Sequence, residues 1–300
     1  MQEEMRCKEN LNRKALFLYS KNTGRANIRK HLPEMIDELR PCFASLDVYE
    51  MPSMEAGVEQ AKKACGTYDV LIVFGGDGTM RNIIDAIAPL ENAPILGYIN
   101  GGTLSDIGVN FGIKGSHKHA LNIIKGGRVA FFDVGKINNE HFGYVAALGA
   151  FADIPYTVRR DSKKRIGRLA YYLKAVQEAF VPDKVKGVLR VNGEEIPFKT
   201  PFLLCLSGRN MAGFLVSRKS RFDDGKFELY ITKPGLFNGL LHYFFFKMRT
   251  DCYVSDHFEI QIDDYSGAWD LDGEAGPYGT VTIDCLPRRL RIFCAQKYEN

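Results

Sequence analysis

The 300-residue chain has no apolar run near the ~18–20 residues that cross a bilayer. Its opening stretch, Met1 to Asn10, is too charged for the apolar core of a secretory signal. Cysteine is sparse: Cys7, Cys42, Cys65, Cys205, Cys252, Cys285 and Cys294, an odd number at wide spacing with no Cys-x-x-Cys. That pattern excludes a disulfide framework and a zinc ribbon. It points to a reducing cytosol, with most thiols acting as small buried hydrophobes. His31, His117, His119, His141, His242 and His257 show no zinc or metalloprotease spacing. There is no Walker A motif, no repeat, no low-complexity segment and no long flexible linker. Excess charge of one sign is also missing, since 40 basic against 36 acidic residues leave +4. Such a balance fits neither an acidic tail nor a polybasic nucleic-acid binder. A 45% hydrophobic fraction is enough for a sizeable core in one large domain or two.

What is present begins as an alternation of strands and helices. Ala15–Tyr19, Leu46–Tyr49, Val70–Phe74 and Pro94–Ile99 read as strands. Ile28–Leu39 (with Pro33 in its first turns), Met54–Cys65 and Met80–Ala88 read as helices between them. This order predicts a doubly wound parallel α/β domain. After about Asp133 the texture becomes β-rich. An Asn192-Gly193 hairpin turn joins two strand-like runs, and Phe202–Leu206, Phe227–Ile231, Val254–Ile262, Thr280–Asp284 and Leu290–Phe293 read as further strands. Two helices are expected among them, over Arg165–Phe180 and Leu236–Met248. The join at Val134-Gly135 is short, so an active site is expected in a cleft between two domains.

Three short segments carry the chemistry. Gly75-Gly76-Asp77-Gly78-Thr79 lies between a buried strand and a helix. Glycines allow close backbone approach, and the helix start offers N–H groups to phosphates. Asp77 beside phosphates would be repulsive unless it held Mg²⁺, or it could serve simply as the helix N-cap. Asn100-Gly101-Gly102-Thr103-Leu104-Ser105-Asp106 follows the next strand. It is expected at the same edge, where open α/β sheets bind ligands; as an alternative, Thr103 or Ser105 caps the following segment. Trp269-Asp270-Leu271-Asp272-Gly273-Glu274 is an acidic turn. It reads either as a solvated hairpin or as a proton acceptor with a metal-binding neighbour.

Together these motifs resemble the diacylglycerol kinase catalytic family, the soluble bacterial lipid kinases related to sphingosine kinases. Gly75–Thr79 resembles its nucleotide motif, and Pro94–Asp106 its proline–glycine strand and Gly-Thr-x-Asn-Asp loop. Phe142–Gly149, Lys164–Tyr171, Gly208–Gly213, Asp223-Asp224-Gly225 and Leu271–Glu274 follow in family order, so the likeness spans residues 14 to 298. It implies a nucleotide-binding α/β domain of residues 1–133 with about 287–300, and a β-rich lipid-binding domain of residues 134–286. It also implies an ATP-dependent lipid kinase acting on diacylglycerol or a related lipid. In that reading Ser20, Lys21, Asn22, Thr23 and Gly24 touch the nucleotide. Gly75, Gly76, Asp77, Gly78, Thr79 and Thr103 hold its phosphates. Asp77 helps with a catalytic Mg²⁺, Glu274 accepts the proton of the lipid hydroxyl, and Asp272 stands beside it. A structural Mg²⁺ uses Asp224 and main-chain carbonyls near Arg221 and Lys226. The family further implies a homodimer.

Departures from the family pattern are Ser20-Lys21 for Asn-Pro, Arg81-Asn82 for Asn-Glu, Ser105 for Asn, and Met51-Pro52-Ser53 where a threonine is usual. They keep two alternatives open: a catalytically silent lipid- or nucleotide-binding module, and an NAD kinase-like enzyme, which shares the Gly-Gly-Asp-Gly loop. The expected setting is cytoplasmic, with peripheral contact at a membrane surface and no nucleic-acid partner. Arg159, Arg160, Lys163, Lys164, Arg165 and Arg168 form a basic cluster suited to anionic headgroups, or else a solvated helix entry. The aromatic run Leu236–Met248 reads as an acyl-chain pocket or a core helix.

Overall fold

The computed structural model describes residues 10–20, 28–102, 105–113, 115–149, 185–211, 214–215, 217, 220–232 and 250–295. The chain opens with β1 (Lys14–Tyr19), α1 (Ile28–Leu39), β2 (Ser45–Glu50), α2 (Met54–Ala64), β3 (Val70–Gly75), α3 (Asp77–Ile87) and β4 (Ile95–Asn100). Then come α4 (Asp106–Asn110), α5 (His117–Lys125), β5 (Val129–Ile137), β6 (Glu140–Phe142) and β7 (Val145–Gly149). The rest is strand: β8 (Val185–Val191), β9 (Glu194–Thr200), β10 (Phe202–Leu206), β11 (Asn210–Met211), β12 (Phe214–Leu215), β13 (Phe227–Thr232), β14 (Thr250–Ser255), β15 (His257–Ile262), β16 (Ala268–Leu271), β17 (Glu274–Tyr278) and β18 (Val281–Phe293). An α/β region is followed by a strand-rich one, the predicted order. Residues divide between two compact units. One draws on Met1–Phe132, Asn210–Leu215 and Arg288–Asn300, the other on Asp133–Arg209 and Val216–Pro287.

In the first unit β1 to β4 pair in parallel in the order β2-β1-β3-β4, and Ile292 of β18 lies opposite Leu96 of β4. Parallel neighbours need crossovers, which α1, α2 and α3 supply. β3 is buried at every position, which is why Val70–Phe74 is an unbroken apolar run. α2 starts where Ser53 Oγ accepts the Ala56 N–H at 3.3 Å, and it carries Glu55 in its first turn and Lys62 and Lys63 in its last. Those charges match the helix dipole.

In the second unit a six-stranded antiparallel sheet runs β14-β13-β10-β7-β16-β17. A separate antiparallel ladder joins β9, β8, β15 and the first part of β18. The β8–β9 turn has Asn192 at φ 52° and Gly193 at φ 82°, the paired positive angles of a tight hairpin. Trp269, Phe142, Phe227 and Phe258 are fully or almost fully buried in this unit's core. Trp269 Nε1–H donates to the Gly279 carbonyl at 3.2 Å, which satisfies the one polar atom it buries.

Several expectations are corrected. Val254–Ile262 is not one strand: β14 pairs with β13 and β15 with β18, and the chain changes sheet at Asp256. Conversely, the strands expected over Thr280–Asp284 and Leu290–Phe293 merge into the single long β18 from Val281 to Phe293, in which Arg288 has a φ of 50°. α3 begins at Asp77 rather than Met80, and α5 and β5 were not foreseen. Cys42 is disulfide-bonded, against the expectation of free thiols, whereas Cys65, Cys205, Cys252, Cys285 and Cys294 are free. The helices expected over Arg165–Phe180 and Leu236–Met248, and the basic cluster Arg159–Arg168, lie outside the described residues. Among the described residues no helix is long and apolar enough to cross a membrane.

β8 and β15 approach so closely that a Cβ on Gly187 would sit 1.9 Å from the Gln261 backbone carbonyl oxygen. No side-chain rotation relieves that contact. Gly187→Ala should therefore cost about 1–3 kcal/mol, the usual range for overpacking. Urea denaturation checks this, and an unchanged midpoint would contradict the pairing.

Candidate functional site

The first unit builds its site where β3 and β4 end side by side. Their register sets Phe74 opposite Ile99 and Gly75 opposite Asn100. The Gly101 N–H then donates to the Gly75 carbonyl at 2.8 Å, which carries the ladder one step beyond the strands. Gly75 is the last strand residue, Gly76 the cap, and Asp77, Gly78 and Thr79 the first turn of α3. Asp77 is thus not the N-cap. Gly76, with extended backbone and no side chain, leaves the positive end of α3 without a capping group. A Cβ on Gly75 would lie 2.6 Å from Thr79 Cβ, so glycine is required for the helix to start this close to the strand. A Cβ on Gly76 would lie 3.6 Å from Gly102 Cα, so the two glycine loops run close together.

Beneath the loops lies a polar cluster that motif reading alone did not assemble. Asn100 Oδ1 accepts the Gly102 N–H at 2.8 Å, and the Tyr98 hydroxyl lies 3.2 Å from it. That hydroxyl is also 3.4 Å from Asp77 Oδ1, while Asp77 Oδ2 faces the Asp106 N–H at 3.4 Å. Tyr98 is fully buried, and burial followed by the Asp77 charge pushes its phenol well above the ordinary range, so it stays a neutral donor. Asp106 is buried as well. Two carboxylates and an amide oxygen around one phenol are hard donors, the kind that suit Mg²⁺. Ser105 caps α4 without a side-chain hydrogen bond to the helix, and its buried Oγ lies beside the Tyr98 hydroxyl.

The departures at Arg81 and Asn82 also find places. Asn82 Nδ2–H donates back to the Gly78 carbonyl at 2.9 Å, and Arg81 donates to Asn82 Oδ1 at 3.2 Å. Both brace the first turn of α3. Ser20 directly follows β1, whereas Lys21, Asn22, Thr23, Gly24 and Thr103 lie outside the described residues.

The second unit holds the acidic turn. Leu271 pairs with Glu274 across a hairpin whose corner residues Asp272 and Gly273 have φ of 54° and 91°. Asp270 Oδ1 accepts the Gly273 N–H at 2.9 Å. Asp272 is buried, and its carboxylate accepts the N–H groups of Gly143, Tyr144 and Val145 at 2.5, 3.0 and 2.9 Å. Glu274, at the head of β17, is exposed. The expected pair of neighbouring reactive carboxylates is therefore one buried group and one open one.

Around the other expected metal position, Asp224 Oδ1 accepts the Lys226 N–H at 3.2 Å, and Arg221 binds Asp223 at 3.1 Å. Asp133, fully buried, accepts the Gly225 N–H at 2.7 Å; it was not foreseen. No group of three His, Cys, Asp or Glu among the described residues forms a metal cluster. Asp224 is exposed, and its carboxylate is a hard oxygen donor of the kind that suits Mg²⁺ rather than zinc.

Residues 14–137 match the family model described as the diacylglycerol kinase catalytic domain. A diacylglycerol kinase of Staphylococcus saprophyticus is 30% identical over 308 residues, covering 97% of this chain and 98% of that protein. A diacylglycerol kinase of Staphylococcus aureus MRSA252 is also 30% identical, covering 97% of this chain and 95% of its own. A crystal structure of a diacylglycerol kinase from Bacillus anthracis superposes with a TM-score of 0.77 at 20% identity, over 94% of this chain and 97% of that one.

One histidine touches the strand ends of the first unit. His117, at the start of α5, packs edge-on against Phe74 (5.3 Å) and His31 (5.9 Å), and it hydrogen-bonds the Asn100 backbone. Burial, then repulsion from His31, holds its pKa below the ordinary 6.5. As pH falls through 6.5 the unfolded ring gains its proton before the folded one, so the unfolded state binds more protons and stability drops. His117→Gln should flatten that drop between about pH 7.5 and about pH 5.5 in urea titrations. Equal losses in variant and parent would contradict it.

Proposed function

Since the chain belongs to the diacylglycerol kinase catalytic family, we propose that it transfers the γ-phosphoryl group of ATP to a lipid hydroxyl, with diacylglycerol the first acceptor to test. The observation that carries this reading is the pair of glycine loops ending β3 and β4 over the Asp77 carboxylate. Phosphoryl transfer asks a protein mainly for positioning and for donors toward the phosphate oxygens. The uncapped start of α3 supplies N–H groups of the right polarity, and the glycines let phosphates reach them.

Asp77, with Asp106 and Asn100 close by, would hold a Mg²⁺, which when bound neutralises phosphate charge. Glu274 takes the proton that leaves the acceptor hydroxyl, and its exposure leaves it open to one. A second Mg²⁺ at Asp224 would brace the turn from Arg221 to Lys226. In this reading Ser20 to Gly24 and Thr103 complete the nucleotide contacts, and the lipid is met by peripheral contact at a membrane surface, by a homodimer. The bracing of α3 by Asn82 supports an intact phosphate loop despite the departure from the family pattern.

The test uses Asp77→Asn and Glu274→Gln in a Mg²⁺–ATP assay with diacylglycerol vesicles. Each should lower turnover by at least about 10²-fold, the lower end for lost acid–base or charge assistance. Circular dichroism and the thermal midpoint should stay close to the parent's. Full turnover in both variants would remove the site assignment.

A further inference from the structure

The three carboxylates of the acidic turn have three different surroundings. Asp270 bonds the Gly273 N–H within the hairpin, Asp272 is buried, and Glu274 is exposed. We propose that Asp272 is a positioning residue: its carboxylate anchors the turn that carries Glu274 to the start of β7. The inference rests on the reading of Glu274 as proton acceptor.

The anchor is made of consecutive backbone groups. Asp272 Oδ2 accepts the Gly143 N–H, and Oδ1 accepts those of Tyr144 and Val145. The Asp272 N–H in turn donates to the Val145 carbonyl at 3.0 Å. Four bonds therefore join one residue to a segment more than a hundred positions earlier in the chain. A buried carboxylate is tolerated only when its charge is met by hydrogen bonds, and three N–H donors meet it here. A proton acceptor must face its substrate with a free lone pair. Asp272 instead has only 2% of its surface exposed. The positive φ angles of Asp272 and Gly273 make a two-residue corner, so fixing Asp272 fixes the first residue of β17, which is Glu274. Charge-assisted bonds at a hairpin corner limit the small displacements that lower catalysis when a reacting group is misplaced.

Asparagine is the informative substitute. Its oxygen can still serve Tyr144 and Val145, but its NH₂ opposes the Gly143 N–H. The experiment compares the parent, Asp272→Asn and Asp272→Ala in the full chain by amide-resolved hydrogen exchange and by the pH profile of lipid phosphorylation. In Asp272→Asn the Gly143 amide should exchange at least about tenfold faster while Tyr144 and Val145 keep their protection. In Asp272→Ala all three should lose it. Asp272→Asn should also lower kcat about tenfold, leave the KM for ATP within about twofold, and retain the acid limb of the kcat profile. Unchanged exchange at all three amides in Asp272→Ala would overturn the anchor. Loss of the acid limb in Asp272→Asn would overturn it too, because Asp272 would then be the proton acceptor. If Asp272→Ala does not fold, the Gly143 amide of Asp272→Asn decides alone, and unaltered exchange there contradicts the proposal. A parent chain inactive on every lipid would sink the kinase reading, and the exchange data would still decide the anchor.

Discussion

The register of β3 against β4 is the constraint on which the first unit's site depends. Setting Gly75 opposite Asn100 brings two glycine loops to the same edge, and the Gly101 N–H to Gly75 carbonyl bond holds them there. Because β3 is buried at every position, its apolar run Val70–Phe74 would tolerate a slip, so the loops are fixed by the Gly75–Asn100 pairing and the Gly101 N–H bond themselves. The glycines follow from the same closeness. Thr79 occupies the space a Cβ on Gly75 would need, and Gly76, which has no side chain, leaves the start of α3 uncapped.

Several carboxylates among the described residues are met by backbone donors. Asp133 takes the Gly225 N–H, Asp272 takes three amides, and Asp77 faces the Asp106 amide and the Tyr98 hydroxyl. Amide donors carry no charge of their own, so they hold a carboxylate in place without a cationic partner. Buried carboxylates with such partners define corners of the fold. Exposed ones, such as Glu274, remain available for chemistry.

Much of this was legible in the sequence, for definable reasons. Strand–helix alternation over residues 14 to 100 marked the parallel sheet, and Asn192-Gly193 marked the β8–β9 hairpin, because these signals are local. Periodicity does not say which sheet a strand joins. Val254–Ile262 therefore read as one strand although Ser255 pairs with Phe227 and His257 with Asp284. The opposite error came at β18, where Pro287 and Arg288 look like a break but one strand continues through them. Glycine spacing marked Asp77. It could not reveal Tyr98, which read as one more strand residue until the fold placed its hydroxyl below the loop. Spacing alone does not tell Asp272 from Glu274; the resemblance assigns Glu274 the proton-acceptor role, and the contacts with residues 143 to 145 show that Asp272 is a buried, bonded carboxylate.

The account's central claim is phosphoryl transfer from ATP to a lipid hydroxyl rather than to a soluble nucleotide. The most direct measurement gives the parent chain γ-labelled ATP and Mg²⁺, with diacylglycerol in vesicles in one reaction and NAD in another. Label should appear in the solvent-extracted lipid as a phosphomonoester and not on NAD. Label on NAD, or on no lipid alcohol at all, would contradict it.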